Sequence, residues 1–302
     1  MRIYLDCFPC FLRQALDAAR FATDDEEVHT TVVQNVLRLA AQTDMHNPPP
    51  VVGQQIHRLI RQITGKEDPY REQKRRSNEL ALRLYSEMKQ DVEEAPNTLE
   101  AAVRLAIAGN ILDFGVNSSL EYAQAEKVIS AALDAEFDCR ELSDFVDCVE
   151  QARDILYLGD NAGETVFDRV LIEKLPREKV TFVVKGSPVI NDATMEDAEI
   201  AGLTDLVDVI TNGSDGPGTI LQTCSLQFRE RFDRADLIVA KGQGNYESLS
   251  EVDKPIFFIL KAKCPVIARD LDCEIGEMIL RQNKSVAVTF ITREKEKADA
   301  KL

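Results

Sequence analysis

The chain has 302 residues, and its 52 acidic against 36 basic side chains leave a formal charge of −16 with a hydrophobic fraction of 44%. That length suits one large domain or two, and that apolar content supports a sizeable core and excludes wholesale disorder. The acidic surplus argues against nucleic acid, whose binders carry a basic stripe that neutralises phosphates. No apolar run approaches the roughly 18–20 residues that cross a bilayer, and Met1–Cys10, with Asp6 and Pro9, lacks a signal pattern. A cytoplasmic protein with no membrane partner is the expectation.

Residues 1–150 read as a helical domain. Apolar residues recur at three and four: Phe11, Leu12, Ala15, Leu16 and Ala19, then Val32, Val33, Val36, Leu37 and Ala40. The same period runs through 51–63, 70–90, 97–109, 119–134 and 140–152. Breakers separate these segments at Asn47–Pro50, Gly65, Pro96-Asn97 and Asp113–Gly115. The densest basic run, Arg71–Arg76, sits on one of these helices and reads as a solvated face.

After Glu150 the period changes. Short aliphatic runs at Ile155–Leu158, Val180–Val184, Val207–Ile210, Leu237–Ala240, Ile256–Leu260 and Val286–Phe290 alternate with helical patterns at 165–174, 193–201 and 219–232. Buried runs separated by helices mean βαβ units. The fold class is therefore α/β: an N-terminal helical domain, then a doubly wound, mostly parallel Rossmann-like sheet domain over 151–292. A charged tail follows at 293–302.

In such sheets ligands bind beyond the carboxyl ends of the strands, which selects four loops. They read GDNAGE at 159–164, KGSPVIND at 185–192, TNGSDGPG at 211–218 and KGQGNYE at 241–247. Hard divalent cations take carboxylate and carbonyl oxygens and keep several waters. Asp160 and Asn161, with Asp192 from the next loop, match that chemistry. Each aspartate also precedes a helical pattern, so a helix N-cap is the competing role. The glycine-rich third loop, including Gly213 and Ser214, leads toward a helix from about Thr219, where free amides would hold an anion. Lys241 could reach the same crevice and neutralise a phosphate, and Lys185 could do likewise.

Three further features bear on function. Cys7 and Cys10 have CxxC spacing, suited to redox chemistry, to half a metal site or to buried inert thiols, and Cys264 could join them. The total of seven cysteines in an apparently cytosolic chain argues for reduced thiols. The histidines, His29, His46 and His57, all precede the sheet loops, which disfavours a Ser-His-Asp triad. Asn110 and Asp113, in AGNILDFG, either end a helix or lend polar groups to the crevice.

Taken together, AGNILDFG, GDNAGE, NDAT, GSDGPGT and KGQGNYE in this order resemble the metal-dependent damage-control phosphatases, once catalogued as domain of unknown function eighty-nine. CFPCFLRQAL and KAKCPVIA resemble its compact, stand-alone prokaryotic branch. The resemblance implies that Asp160, Asn161 and Asp192 hold a divalent metal (Mn²⁺, Co²⁺, Ni²⁺ or Mg²⁺). It implies that Lys241 and Asn245 contact phosphate, while Glu164, Asn110 and Asp113 line the substrate side. Gln243 and Glu247 stand where the eukaryotic branch has an acid and a base. The expected reaction is hydrolysis of small phosphorylated metabolites, with the oligomeric state open. The alternatives are a carboxyl methyltransferase and a non-catalytic metal- or nucleotide-binding module with a CxxC sensor.

Overall fold

A computed structural model describes residues 1–111, 122–135 and 140–283. Seven helices come first: α1 (Cys7–Ala22), α2 (Glu26–Ala41), α3 (Pro49–Thr64), α4 (Arg71–Glu94), α5 (Thr98–Ile111), α6 (Tyr122–Asp134) and α7 (Arg140–Gln151). Their ends follow local chemistry. Asp25 accepts a hydrogen bond from the Glu27 amide and caps α2, while Pro49 and Pro50 open α3 and left-handed Gly65 closes it.

Strands and helices then alternate: β1 (Ile155–Leu158), α8 (Glu164–Ile172), β2 (Val180–Val184), α9 (Met195–Ile200), β3 (Asp208–Thr211), α10 (Leu226–Arg234), β4 (Leu237–Lys241), α11 (Gly242–Leu249), β5 (Ile256–Lys261), α12 (Pro265–Leu271) and β6 (Met278–Gln282). They form a single sheet in the order β3-β2-β1-β4-β5-β6. The first five strands pair in parallel, and β6 closes the β5 edge antiparallel. The strand order reverses direction between β1 and β4, the switch point where a crevice opens beyond the strand ends.

The sheet's period of two decides which helices cover which face. Ile155, Tyr157, Phe182, Val239 and Phe257 face a core built with α4, α5, α7 and α8. Leu156, Leu158, Ile238, Ala240 and Phe258 face the opposite core, with α10, α11 and α12. Helix α5 is buried almost all round, and its alanines at 101, 102, 106 and 108 allow close approach. Each large side chain fully buried here stabilises the fold by about 1.5–3 kcal/mol. Helices α1–α3 hold a smaller cluster of their own around Ala15, Val32, Ile56 and Ile60.

Two sequence expectations change. The pattern at 219–232 is not one helix: a short 3-10 turn at Leu221–Thr223 is followed by α10, with Ser225 accepting from the Phe228 amide. Ser225 caps more strongly than the preceding residues propagate a helix. KGQGNYE is not a loop but the last residue of β4 followed directly by α11. The last described strand is β6 at 278–282, whereas the expected strand at 286–290 lies outside the described residues. Arg75 and Arg76, from the basic run, are exposed and paired with Glu72 and Glu79 on α4. Among the described residues no helix is long and apolar enough to cross a membrane.

Candidate functional site

The segments after β1 and β2 are zipped together. Asn161 and Asp192 form an isolated antiparallel bridge. The Ala193 amide donates to the Asp160 carbonyl at 2.8 Å, and the Ala162 amide donates to the Asn191 carbonyl at 2.8 Å. Ile190 approaches this bridge with φ 47°, a conformation that costs a β-branched residue about 1–3 kcal/mol. Asp192 is therefore brought beside Asp160 and Asn161 at the switch point, although it lies far from them in sequence.

Their acids are crowded. Burial, with Glu164 and Asp192 nearby, pushes the Asp160 carboxyl well above its ordinary range, against the pull of Lys185 and Lys263. Burial also raises Asp192, opposed by Lys185. Asp192 Oδ2 is buried without a hydrogen-bond partner, although Lys185 Nζ lies 3.3 Å away. Asn161 Nδ2 donates to Asp160 Oδ2 at 2.9 Å and to Glu164 Oε2 at 3.0 Å. At the start of α11, a Cβ on Gly242 (φ 77°) would sit 1.8 Å from Asp160 Oδ2, so glycine makes room for that carboxylate.

Lys241 and Asn245 are placed differently from expectation. Lys241 is fully buried, and its ammonium donates to Glu164 Oε1 at 2.5 Å, Asp168 Oδ1 at 2.5 Å and the Ala106 carbonyl at 3.0 Å. Burial alone would lower its pKa, but Asp168 and Glu164 outweigh burial and raise it. All three N–H groups are spent on these acceptors, so Lys241 stands beneath the crevice as a counter-ion to Glu164 and Asp168. Burial also lifts Asp168 to about 6, with Lys241 opposing. Asn245 is equally buried: its Oδ1 accepts from Thr219 Oγ1 at 2.7 Å, and its Nδ2 donates to the Lys241 and Gly159 carbonyls.

The glycine-rich segment after β3 is also corrected. Two of its amides are spent within the segment, and a third meets an acid: the Ser214 amide donates to Asn212 Oδ1 at 2.9 Å, the Gly216 amide donates to Ser214 Oγ at 3.1 Å, and the Gly218 amide donates to the Asp192 carboxylate. The Ser214 hydroxyl further bonds Thr223 Oγ1 at 2.6 Å. Gly213 (φ 74°) packs against Ser225, where a Cβ would lie 2.7 Å from that side chain. Asp215 is gripped by Gln54, Arg58 and Arg61 of α3 at 2.5–2.8 Å. Those arginines, Arg58 first, hold its carboxyl down to about 2. This segment ties the sheet to the helical region.

Glu164 and Lys185 belong to the site as supports. Glu164 is fully buried between Lys241 and Asn161, and Lys185 is buried beside Asp192, donating to the Gly218 carbonyl. Asn110 lies on α5, but its side chain, like all of Asp113, is outside the described residues. Two contributors escaped the sequence reading. Lys263, exposed just past β5, is close enough to favour the ionised form of Asp160. Asp168 shares Lys241 with Glu164. The signal for Lys263 was its place at a strand end next to the switch point. Asp168 could be found from its spacing, one helical turn after Glu164.

Cys264 does approach the CxxC pair. Cys7 and Cys10 are each pushed up by burial, with Cys264 and Glu247 adding to the effect. That is the reverse of a poised redox thiolate. Among the described residues every cysteine is a free thiol, and no group of three or more His, Cys, Asp or Glu side chains is gathered so that it could hold a metal ion. A groove of about 520 Å³ lined by Arg177, Glu178, Val180 and 204–208 lies at the amino ends of β2 and β3, away from the acids. The crevice rule places chemistry at the other end of the strands.

Comparison with known proteins gives a consistent picture. The model of the damage-control phosphatase ARMT1-like domain matches residues 3–279. An uncharacterized protein of Methanocaldococcus jannaschii is 38% identical over 293 residues, covering 93% of this chain and 95% of its own. A protein of Pyrococcus horikoshii named damage-control phosphatase is 37% identical over 291 residues, covering 94% of this chain and 99% of its own. A crystal structure of a duf89 family protein from Pyrococcus horikoshii superposes with a TM-score of 0.87 at 34% identity, covering 94% of this chain and 100% of that one. The chain belongs to the damage-control phosphatase ARMT1-like domain family.

Proposed function

We propose that this member of the family is a divalent-metal-dependent phosphatase acting on small phosphorylated metabolites, sugar phosphates or damaged phosphometabolites. The observation that carries the reading is the buried pair Asp160 and Asp192 at the switch point, their pKa values both raised by burial, Asp160 further by Glu164 and Asp192, with Lys185 3.3 Å from Asp192 Oδ2. Acids so crowded and desolvated fit a site whose missing counter-charge is a cation. Asp160 and Asp192, with the side-chain oxygen of Asn161, would hold Mn²⁺, Co²⁺, Ni²⁺ or Mg²⁺. Such an ion polarises a phosphoryl oxygen and offsets the charge that develops there.

The chain's own groups do the rest. Lys263 faces Asp160 from the exposed side and supplies the cation for the incoming phosphate, the role expected of Lys241. Lys185 holds Asp192 in place. Lys241 holds Glu164, and Glu164 in turn fixes the Asn161 amide. A water oriented by Asp160 attacks phosphorus and gives up one proton to solvent as the bond between phosphorus and the ester oxygen breaks, and the leaving alkoxide takes one proton from solvent.

The test is a panel of phosphorylated metabolites assayed with each of the four metals, beside Asp160→Ala and Asp192→Ala. Wild-type hydrolysis that requires metal, and loss of at least about a hundredfold in either variant, is expected. Unchanged activity in both variants would overturn the assignment. Trapping with hydroxylamine during turnover checks the nucleophile: no hydroxamate formed on the protein supports water, whereas a hydroxamate at an aspartate identifies an attacking carboxylate.

A further inference from the structure

We infer that Asn78 and Lys74 of α4 are positioning residues that set the spacing of Asp160 and Asp192. The inference rests on the reading of those two acids as the ligands of the ion. Neither residue carries a sequence motif, and both were hidden within a helix whose basic run looked like solvated surface.

The geometry is specific. The Gly163 amide, just downstream of Asp160 and Asn161, donates to Asn78 Oδ1 at 2.6 Å. The same Asn78 side chain donates through Nδ2 to Asp197 Oδ1 at 2.9 Å. Asp197 belongs to the segment that follows Asp192, where its other oxygen accepts from the Thr194 amide at 2.8 Å and from Thr194 Oγ1 at 2.7 Å. Lys74 Nζ completes the group, 2.7 Å from Asp197 Oδ2, 3.3 Å from Thr194 Oγ1 and 3.8 Å from Asp68 Oδ2. Asn78, Lys74 and Asp197 are only 1%, 5% and 3% exposed. One amide from the helical region thus bridges the two segments that present the acids.

Gly163 explains why α4 can come so close. At φ 73° it takes a conformation that side chains rarely adopt, and a Cβ there would lie 2.9 Å from Ser77 Cβ and 3.0 Å from the Ser77 carbonyl. Backbone therefore rests directly on α4, and a movement of α4 is transmitted to both segments. A buried amide whose donor and acceptor are both occupied has little freedom to shift. Outer partners that orient ligands usually contribute about 10–100-fold to metal affinity.

The other end of α4 supplies a control. Tyr85 Oη donates to Glu173 Oε1 at 2.6 Å, a contact between α4 and the end of α8 that touches neither acid-bearing segment. Calorimetry with Mn²⁺ alone on the metal-free full chain separates the cases. Asn78→Ala should weaken Mn²⁺ binding by about tenfold, while Tyr85→Phe leaves it unchanged. With p-nitrophenyl phosphate at saturating Mn²⁺, Asn78→Ala should lower kcat and leave KM within about twofold, because the ion and not the substrate is misplaced. If Asn78→Ala does not fold, Asn78→Ser breaks the same bridge and is measured identically. Wild-type Mn²⁺ affinity in the Asn78 variant, or an equal loss in Tyr85→Phe, overturns the inference. Wild-type Mn²⁺ affinity in Asp160→Ala and Asp192→Ala instead removes the reading beneath it.

Discussion

The segments after β1 and β2 and the segment after β3 draw on the same residues, glycine, asparagine, aspartate and serine, yet their hydrogen-bond accounts differ. After β3 the loop's polar side chains are spent on protein partners: Asn212 accepts the Gly186 and Ser214 amides, Ser214 serves an amide and a hydroxyl, and Asp215 holds two arginines and a glutamine of α3. After β1 and β2 the backbone is zipped but the buried carboxylates of Asp160, Glu164 and Asp192 are crowded, and Lys185 stands 3.3 Å from Asp192 Oδ2. A saturated segment is scaffold. An acid left short of counter-charge is where a ligand belongs, because burying it otherwise costs free energy.

The largest expected effect sharpens that contrast from below the crevice. Lys241→Met should destabilise the protein by about 3–5 kcal/mol, since Glu164 and Asp168 remain buried without their cation. Chemical denaturation reads this directly. If stability stays within error while only activity falls, Lys241 is part of the reacting centre after all.

Gly242→Ala comes next. The added Cβ meets Asp160 Oδ2 and demands a positive φ, so the carboxylate must move. Activity should fall about a hundredfold, or about 2.7 kcal/mol, with a smaller change in denaturation midpoint. Normal kcat would mean that the position of Asp160 does not matter.

Asp215→Ala addresses the scaffold loop. Its loss should cost about 2 kcal/mol, allowing for the exposure of Arg58, with kcat and KM within about twofold. The depressed Asp215 pKa also has a sign: stability present above its unfolded value near 3.8 is lost as pH falls toward about 2. A large KM effect would return this loop to the substrate side.

His57, on α3 behind that loop, gives the smallest change at neutral pH. It is buried and its Nε2 has no partner, so His57→Leu should stabilise the protein by about 1 kcal/mol at pH 7. Burial, aided by Arg61, lowers its pKa from 6.5 to about 3. The unfolded chain therefore binds the extra proton, and stability drops as pH falls from 6.5 toward 3. His57→Leu should flatten that limb in acid denaturation; an unchanged limb would assign it to other groups.

Periodicity made the helices of the first half and five of the six described strands legible, because amphipathic spacing is a local property. Asp160, Asn161, Asp192 and Glu164 were legible from their position at strand ends. Lys241, Asn245 and Ser214 were legible as residues near the site but not in their roles. Sequence cannot say whether a donor is already spent. Lys241 became a counter-ion because Asp168 lies one turn after Glu164 on α8 and Ala106 arrives from α5. Lys74 and Asn78 left no local signal, since their partners stand on other elements.

By itself, then, the order of residues determined the two-part texture, the strand-end loops and the acids that stand in them, all of which follow from short-range patterns. Tertiary structure decided which polar groups face one another across long sequence separations. It used Lys241 and the β3 loop to hold the frame, left Asp160 and Asp192 crowded, and put α4 against both of their segments. The physical reason is accounting: a buried donor or acceptor can be spent only once, and only packing shows where.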